Sequence, residues 1–157
     1  MAKSTVKISI VVPLFNEEES LVELHQQLSK AVCSLEKPIE FLFIDDGSTD
    51  NSMQVLSELH NKDPQVRVVQ FRRNYGKLAA LALGFKEARG EFIVTLDADL
   101  QDEPYEIPNL VKKLEEGFDL VSGWKKIRKD PFIKKSTSKL FNLVTRKMTG
   151  LGIHDMN

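Results

Sequence analysis

The sequence predicts an α/β fold built on a doubly wound, mostly parallel sheet. Short β-branched and aromatic runs alternate along the chain with segments whose apolar residues recur every three or four positions. The connections between these segments are short, as in folds where strand and helix follow one another. Ligands of such folds collect outside the carboxyl ends of the strands, so the residues just after each strand are where chemistry is expected.

The first strand is predicted from Ile8 to Val12, with both faces buried and an end at Pro13, which has no backbone N–H. Further strands are predicted at 39–44, 66–71 and 92–96, with a short fifth strand at Leu120 and Val121. Amphipathic helices are predicted at 21–35, from Ser52 onward and at 78–88, and another is expected to open at Glu103 and Pro104.

Composition narrows the class of protein. The chain has 157 residues, of which 41% are hydrophobic and 29% charged, as expected of one soluble domain with its own core. A net charge of -1 argues against nucleic acid as a partner, although residues 125–147 hold nine basic side chains and one acid. Cys33 is the only cysteine, which excludes an intrachain disulfide and favours a cytoplasmic protein. The apolar run at Ile8 is too short for a signal sequence or a membrane span.

Three polar clusters follow predicted strands and therefore meet at one edge of the sheet. Acidic residues after a strand are also typical of helix caps, so each cluster alone has a structural interpretation. Their convergence favours a binding site. The clusters are Asn16-Glu17-Glu18-Glu19, Asp45-Asp46-Gly47-Ser48 and Asp97-Ala98-Asp99-Leu100-Gln101-Asp102.

The third cluster predicts a metal site. Asp97, Asp99 and Gln101 offer hard oxygen ligands to one divalent cation, magnesium or manganese (Mg2+ or Mn2+), which keeps open positions for a diphosphate. Without a cation, such a dense acidic cluster would suffer like-charge repulsion. Helix capping is the alternative for Asp102.

The second cluster and a basic loop complete the candidate site. Asp45 and Asp46 have acceptors for the N–H of a base or the hydroxyls of a ribose, with a capped turn as the alternative. Arg72, Arg73 and Lys77 follow the third strand. They are equally compatible with a diphosphate site and with a solvated basic loop.

Four segments, taken in order and spacing, resemble a known family. They are Ile10-Val11-Val12-Pro13-Leu14-Phe15-Asn16-Glu17-Glu18, Asp45-Asp46-Gly47-Ser48-Thr49-Asp50, Asn74-Tyr75-Gly76-Lys77 and Asp97-Ala98-Asp99-Leu100-Gln101-Asp102. The set resembles the family 2 inverting glycosyltransferases with the GT-A fold, a Rossmann-like nucleotide-diphospho-sugar transferase fold. Within that family it resembles the polyprenyl-phosphate branch, which includes dolichyl-phosphate mannose synthase and bacterial undecaprenyl-phosphate glucosyltransferases.

The resemblance implies a role for each matching position. Nucleotide-sugar binding is implied for Pro13, Asn16, Glu17, Asp45, Asp46, Lys77, Asp97 and Ala98. A metal is implied at Asp97, Asp99 and Gln101, catalytic roles at Asp99 and Asp155, and acceptor-phosphate binding at Lys125 and Arg128. Residues 1–157 are then one catalytic domain, expected to be truncated at its C-terminus, because relatives continue beyond this point.

These residues lead to one hypothesis and two alternatives. The hypothesis is metal-dependent, inverting transfer of a sugar, from a UDP-sugar rather than a GDP-sugar, to a polyprenyl phosphate at the inner face of the cell membrane. The amphipathic basic segment at 131–149 is expected to lie on that membrane surface. One alternative is transfer to a soluble acceptor, with Asp155 as the base; the other is a non-catalytic nucleotide-binding module. The sequence leaves open whether the chain forms a homo-oligomer.

Overall fold

The computed structural model describes residues 6–123, in which parallel strands and helices alternate. In chain order, the elements are β1 Ile8–Leu14, α1 Leu21–Val32, β2 Ile39–Asp45, α2 Ser52–Lys62, β3 Val66–Gln70, α3 Lys77–Glu87, β4 Phe92–Thr95 and α4 Ile107–Glu115. Short 3-10 turns follow α1 and precede α4. All these elements belong to the unit 1–120, which is followed by a second unit, 121–157. None of the helices in the described part is long and apolar enough to span a bilayer.

The sheet has the order β3-β2-β1-β4, and every pair of neighbouring strands is parallel. β1 lies between β2 and β4, so that Ile8 is opposite Ile39 on one side and Phe92 on the other. Because all four strands run in the same direction, the segments that follow them leave from one edge. The predicted α/β fold with a parallel sheet is therefore confirmed.

Both faces of the sheet are covered, as in a doubly wound fold. Successive residues of a strand point to opposite faces, and β1 divides its side chains accordingly. Ile8, Ile10 and Val12 pack with apolar residues of α1, α2 and α4, whereas Val11 packs with Ala80 of α3. All seven residues of β1 are buried, which explains why its sequence is apolar on both faces except at Ser9.

Pro13 does not end the first strand, contrary to the prediction, since β1 continues to Leu14. The Leu14 carbonyl accepts a hydrogen bond from the backbone N–H of Asp46, which follows β2. The Val11 carbonyl accepts one from the backbone N–H of Leu96, which follows β4. Alternate residues of a strand direct their backbone groups toward the same neighbouring strand. Because Pro13 is two residues after Val11, its nitrogen also faces β4. Pairing with β4 ends at Val11, opposite Thr95, and no ladder bond is lost at Pro13.

The short fifth strand predicted at Leu120 and Val121 is absent. Both residues are described, neither belongs to a strand, and the side chain of Leu120 is 86% exposed. Two apolar residues provide too little pattern to distinguish a strand from an exposed turn.

A buried polar network lies at the end of the sheet where β1 and β2 begin. The Ser9 hydroxyl donates to the Glu40 carboxylate at 2.5 Å, and the Arg67 guanidinium and Arg89 backbone N–H donate to it at 2.7 Å each. Burial raises the pKa of Glu40, but these hydrogen bonds and the positive charge of Arg67 outweigh burial and hold that pKa below its usual value. The network ties the end of α3 to β1, β2 and β3.

This network predicts a loss of stability in acid. The pKa of Glu40 is lower in the folded chain than in the unfolded chain, where it is near 4.5. Its contribution is therefore complete above that pH and is lost as the pH falls through the folded-state pKa. In urea unfolding from pH 7 to pH 3, we expect the stability difference between the wild type and Glu40→Gln to shrink below about pH 4.5. A difference that is constant over this range would contradict the account.

Candidate functional site

A cavity of about 270 Å³ opens where β1 and β4 end and α3 begins. Its wall comes from four separate segments of the chain. The lining residues are Pro13, Leu14, Phe15, Glu17, Asp46, Asn74, Gly76, Lys77, Ala80, Asp97, Ala98 and Asp99. The structure thus brings together most of the residues predicted to bind a nucleotide-sugar. Asn16, Asp45 and Gln101 are not among those that line it.

Lys77 and Asp97 form an ion pair at this cavity. The Lys77 Nζ lies 2.6 Å from one oxygen of Asp97 and 2.8 Å from the other. The two side chains are 59% and 45% exposed, so the pair contributes at most about 1 kcal/mol to stability. It instead places a cation, at the start of α3, against the first acid of the third cluster. Both groups remain accessible to a ligand.

The segment from Asp97 to Asp102 is a tight turn that presents Asp97 and Asp99 to the cavity. The carboxylate of Asp102 accepts a hydrogen bond from the backbone N–H of Asp97 at 2.8 Å, and Asp99 accepts one from that of Gln101 at 3.0 Å. Leu100 has a φ of +59°, a left-handed conformation that costs a residue with a side chain about 1–2 kcal/mol. Strain of this kind is common at binding sites, where the surrounding structure maintains it.

The predicted metal ligands fit a divalent cation in part. Asp97 and Asp99 both line the cavity and supply the hard carboxylate oxygens that magnesium and manganese prefer. A magnesium ion commonly takes one or two carboxylates and completes its shell with phosphate oxygens and water. Between residues 6 and 123, however, no three His, Cys, Asp or Glu side chains are grouped to hold a metal by themselves. The ligand role of the exposed Gln101 stays a prediction.

Asp45 and Asp46 are adjacent in sequence but have different surroundings. Asp45 is fully buried, and its oxygens accept hydrogen bonds from the Ser48 backbone N–H at 2.9 Å and the Gln70 side chain at 3.0 Å. Asp46 is 3% exposed and lines the cavity. Its two oxygens accept the backbone N–H groups of Tyr75 and Gly76 at 2.7 and 2.8 Å. The base or ribose contacts predicted for this pair stay predictions.

Asn16 joins the loop after β1 to the loop after β2. Its backbone N–H donates to the Ser48 hydroxyl at 2.9 Å, and its side-chain oxygen accepts the backbone N–H of Thr49 at 2.8 Å. The φ of Asn16 is +56°, a conformation that asparagine tolerates better than most residues. The backbone N–H of Glu17 donates to Ser52 at 2.9 Å. Asn16 thus fixes the loop that brings Glu17 to the cavity.

Two acids extend this connection between the loops. The Asp50 carboxylate accepts the backbone N–H groups of Glu18 at 3.2 Å and Ser52 at 3.0 Å, while Glu18 accepts that of Asn51 at 2.8 Å. Partial burial raises the pKa of Asp50, but the hydrogen bonds from Ser52 and Glu18 outweigh it and lower that pKa. The polar motifs after β1 and β2 therefore serve largely to hold each other.

Sequence reasoning missed several residues of the cavity wall. Phe15, 42% exposed, adds an aromatic surface, and Ala80 of α3 adds a small apolar one. Apolar residues beside a polar motif resemble core residues in a sequence, so nothing marked them. Among the three basic candidates only Lys77 lines the cavity; the Arg73 guanidinium instead lies over the Tyr75 ring, 5.1 Å from its centroid. Lys125, Arg128, Asp155 and the segment 131–149 lie outside the described residues.

Comparison with known proteins explains this arrangement. The profile of the family described as "Glycosyl transferase family 2" matches residues 9–155, nearly the whole chain. The chain belongs to glycosyl transferase family 2. The match includes all of the described segments that meet at the cavity, and it confirms the family that the sequence motifs resemble.

Curated relatives within the family are similar over most of this chain. The undecaprenyl-phosphate 4-deoxy-4-formamido-L-arabinose transferases of Proteus mirabilis (strain HI4320) and Salmonella choleraesuis (strain SC-B67) are each 43% identical over 150 residues, which cover 95% of the chain. The similarity to the polyprenyl-phosphate branch is thereby confirmed. The chain spans 46% of the length of these relatives, about half of each.

Solved structures share the fold of this chain. The structure of S. aureus TarS 1-349 superposes on the chain with a TM-score of 0.60 at 24% sequence identity. The match covers 80% of this chain and 40% of the TarS chain. The second structure is that of the mannosyltransferase PcManGT from Pyrobaculum calidifontis in complex with GDP-Man and Mn2+. It matches with a TM-score of 0.55 at 26% sequence identity, over 69% of this chain and 32% of the PcManGT chain. The predicted GT-A fold is confirmed.

Proposed function

We propose that this chain binds the donor nucleotide-sugar of a transferase that moves the sugar to a polyprenyl phosphate. The observation that carries the proposal is the cavity itself, where Lys77, Asp97 and Asp99 meet at the carboxyl edge of the sheet. Its volume suits part of a nucleotide-sugar, and the family to which the chain belongs transfers glycosyl groups. The relatives at 43% identity, named as undecaprenyl-phosphate sugar transferases, support the lipid phosphate as acceptor.

The start of α3 suits the diphosphate of the donor. Lys77 is the first residue of α3, and both it and the preceding Gly76 line the cavity. The N-terminus of a helix carries a partial positive charge and N–H groups without helical partners, and the Lys77 ammonium adds a full charge. The base and ribose would lie toward Pro13, Glu17 and Asp46 on the other wall. UDP is favoured over GDP as the nucleotide.

A divalent cation completes the proposed donor site. Asp97 and Asp99, with Gln101, would hold Mg2+ or Mn2+ beside the diphosphate; the Mn2+ bound in the P. calidifontis mannosyltransferase supports a cation in this family. When bound, the cation supplies charge that offsets the charge developing on the leaving diphosphate. Asp99 is proposed as catalytic in this sense, and Lys77 would contact the diphosphate.

The acceptor chemistry requires little help from a base. An oxygen of the lipid phosphate attacks the anomeric carbon from the face opposite the diphosphate; the new carbon–oxygen bond forms while the bond to the nucleoside diphosphate breaks, which inverts the configuration. A phosphate is already anionic, so Asp155 would orient the acceptor rather than remove a proton. Lys125 and Arg128 are proposed to bind the acceptor phosphate at the inner face of the membrane.

Lys77→Ala is expected to weaken nucleoside diphosphate binding without affecting the nucleoside. A hydrogen bond to a charged group contributes about 1.5–3 kcal/mol, so we expect the affinity for UDP to fall about 10- to 100-fold while that for uridine is unchanged. Titration calorimetry measures both. Lys86→Ala, at the other end of α3, is the matched control and should leave both affinities as they are. Equal losses for UDP and uridine would move Lys77 away from the diphosphate.

A transfer assay tests the reaction. The chain is incubated with radiolabelled UDP- and GDP-sugars, undecaprenyl phosphate in vesicles and, in parallel, soluble sugar acceptors. We expect organic-extractable label that depends on a divalent cation and on undecaprenyl phosphate. Label found only on the soluble acceptors would contradict undecaprenyl phosphate as the acceptor and favour transfer to a soluble acceptor. If the chain binds the donor but transfers no sugar to any of these acceptors, the non-catalytic nucleotide-binding module is favoured.

A further inference from the structure

The side chain of Asp46 grips the backbone turn that leads into α3. Its two carboxylate oxygens accept the N–H groups of the consecutive residues Tyr75 and Gly76 at 2.7 and 2.8 Å, and the side chain is almost fully buried. Each oxygen thus has a backbone donor 29 or 30 positions later in the chain. In this environment a charge-assisted hydrogen bond is short and strong.

The turn that Asp46 grips has an unusual backbone. Gly76 has a φ of +94°, which a residue with a side chain rarely adopts. Gly47, next to Asp46, lies so close to the turn that a Cβ there would come within 2.4 Å of the Arg73 carbonyl carbon. The segment from Arg73 to Gly76 therefore packs directly against Gly47, and Asp46 accepts two hydrogen bonds from it.

The turn is also the start of the helix that carries Lys77. The Gly76 carbonyl accepts the N–H groups of Ala79 at 2.9 Å and Ala80 at 3.2 Å, so the gripped residue is the one on which the first turn of α3 is built. Lys77 follows directly and reaches Asp97 across the cavity. A displacement of Gly76 would move the helix start and the Lys77 ammonium together.

We propose that Asp46 is a positioning residue, which holds the Tyr75–Gly76 turn and thereby fixes the start of α3 and Lys77 for the donor diphosphate. This inference rests on the proposed function, which puts the diphosphate at Lys77. This role is additional to the proposed contact of Asp46 with the base or ribose, because its effect falls on the other end of the ligand. A carboxylate is required since the two N–H groups need two acceptor oxygens, and an asparagine offers only one.

The neighbouring acid provides a matched control. Asp46→Asn places an N–H₂ group against a backbone N–H that cannot turn away. Asp45→Asn makes the same chemical change one residue earlier, but its partners are the Ser48 N–H and the Gln70 side-chain amide, which can flip to present its oxygen. Asp45→Asn therefore keeps both of its hydrogen bonds.

Amide hydrogen exchange on the full chain tests the grip without reference to any ligand. We expect exchange at Tyr75 and Gly76 to become at least about tenfold faster in Asp46→Asn and to stay unchanged in Asp45→Asn. Unchanged exchange in Asp46→Asn would overturn the proposal. Asp46→Ser, which keeps one acceptor and adds no bulk, is measured in the same way if Asp46→Asn does not fold.

Binding of UDP, inorganic pyrophosphate and uridine tests the consequence. In Asp46→Asn we expect the affinity for pyrophosphate, which has neither base nor ribose, to fall about tenfold, and that for UDP to fall at least as much. In a Lys77→Ala background, Asp46→Asn should cost less pyrophosphate affinity than it does in the wild type, because part of its effect acts through the Lys77 ammonium. A loss confined to uridine and UDP, or a full additional loss in the double variant, would contradict the proposal. If the wild type binds neither UDP nor pyrophosphate, the proposed function fails, whereas the exchange data still decide whether Asp46 holds the turn.

Discussion

Asp99→Ala is expected to abolish the part of nucleotide binding that depends on manganese. Asp99 lines the cavity with an exposed carboxylate, which we propose as a direct ligand of the cation. Loss of even an indirect partner of a metal ligand typically costs 10- to 100-fold in metal affinity, so loss of a ligand should cost at least about 100-fold. Calorimetric titration of UDP with and without Mn2+ should then give the same weak affinity in the variant.

The fold should survive this substitution, because an exposed side chain beyond a strand end adds little to the core. Asp119→Ala removes an exposed carboxylate that does not line the cavity, and it serves as the matched control. It should retain the full manganese dependence of the wild type. If Asp99→Ala still shows tighter UDP binding in the presence of Mn2+, the proposed metal site is wrong.

Gly47→Ala is expected to be strongly destabilising. Gly47 has a φ of +73°, where a side chain costs about 1–2 kcal/mol. The new Cβ would also lie 2.4 Å from the Arg73 carbonyl carbon, and overlap with backbone that cannot move freely costs a further 1–3 kcal/mol or so. We therefore expect the free energy of unfolding to fall by about 2–5 kcal/mol in urea denaturation.

Gly117→Ala separates the two contributions to this loss. Gly117 also has a positive φ, +101°, but nothing lies within 4 Å of a Cβ built there. It should lose only the backbone cost, about 1–2 kcal/mol. Equal losses of unfolding free energy in the two variants would contradict this prediction. They would show that the segment from Arg73 to Gly76 moves aside for the new Cβ at Gly47 without further cost.

The fold was predictable because the sequence repeats one physical signal. The segments 8–12 and 39–44 are apolar on both faces apart from Ser9 and Glu40, so they require a sheet covered on both sides. The end of β1 was not predictable in the same way. Whether Pro13 interrupts a ladder depends on which neighbour its nitrogen faces and on where β4 stops pairing, and both are properties of the tertiary structure.

The candidate site shows the same limit. The positions of the polar motifs after the strands predicted that the acidic clusters would meet, since parallel strands deliver their loops to one edge, but they left open whether Lys77 joins them or lies in a solvated loop. Sequence spacing did not show which acids face the cavity and which hold the backbone. Asp45 is fully buried and Asp46 grips a distant turn, and the partners that decide this come from the segment 70–76, remote in sequence.

The most direct test of the account is the location at which a nucleotide binds. Backbone amide signals of the full chain are followed by NMR during titration with UDP or GDP in the presence of Mg2+. We expect the largest shift changes at Phe15, Gly76, Lys77 and Ala98, all of which line the cavity, and in Asp99→Ala we expect them to require more nucleotide and to lose their dependence on Mg2+. Largest changes at α1 and α4, away from the cavity, or no change with either nucleotide, would contradict the assignment of this cavity as the donor site.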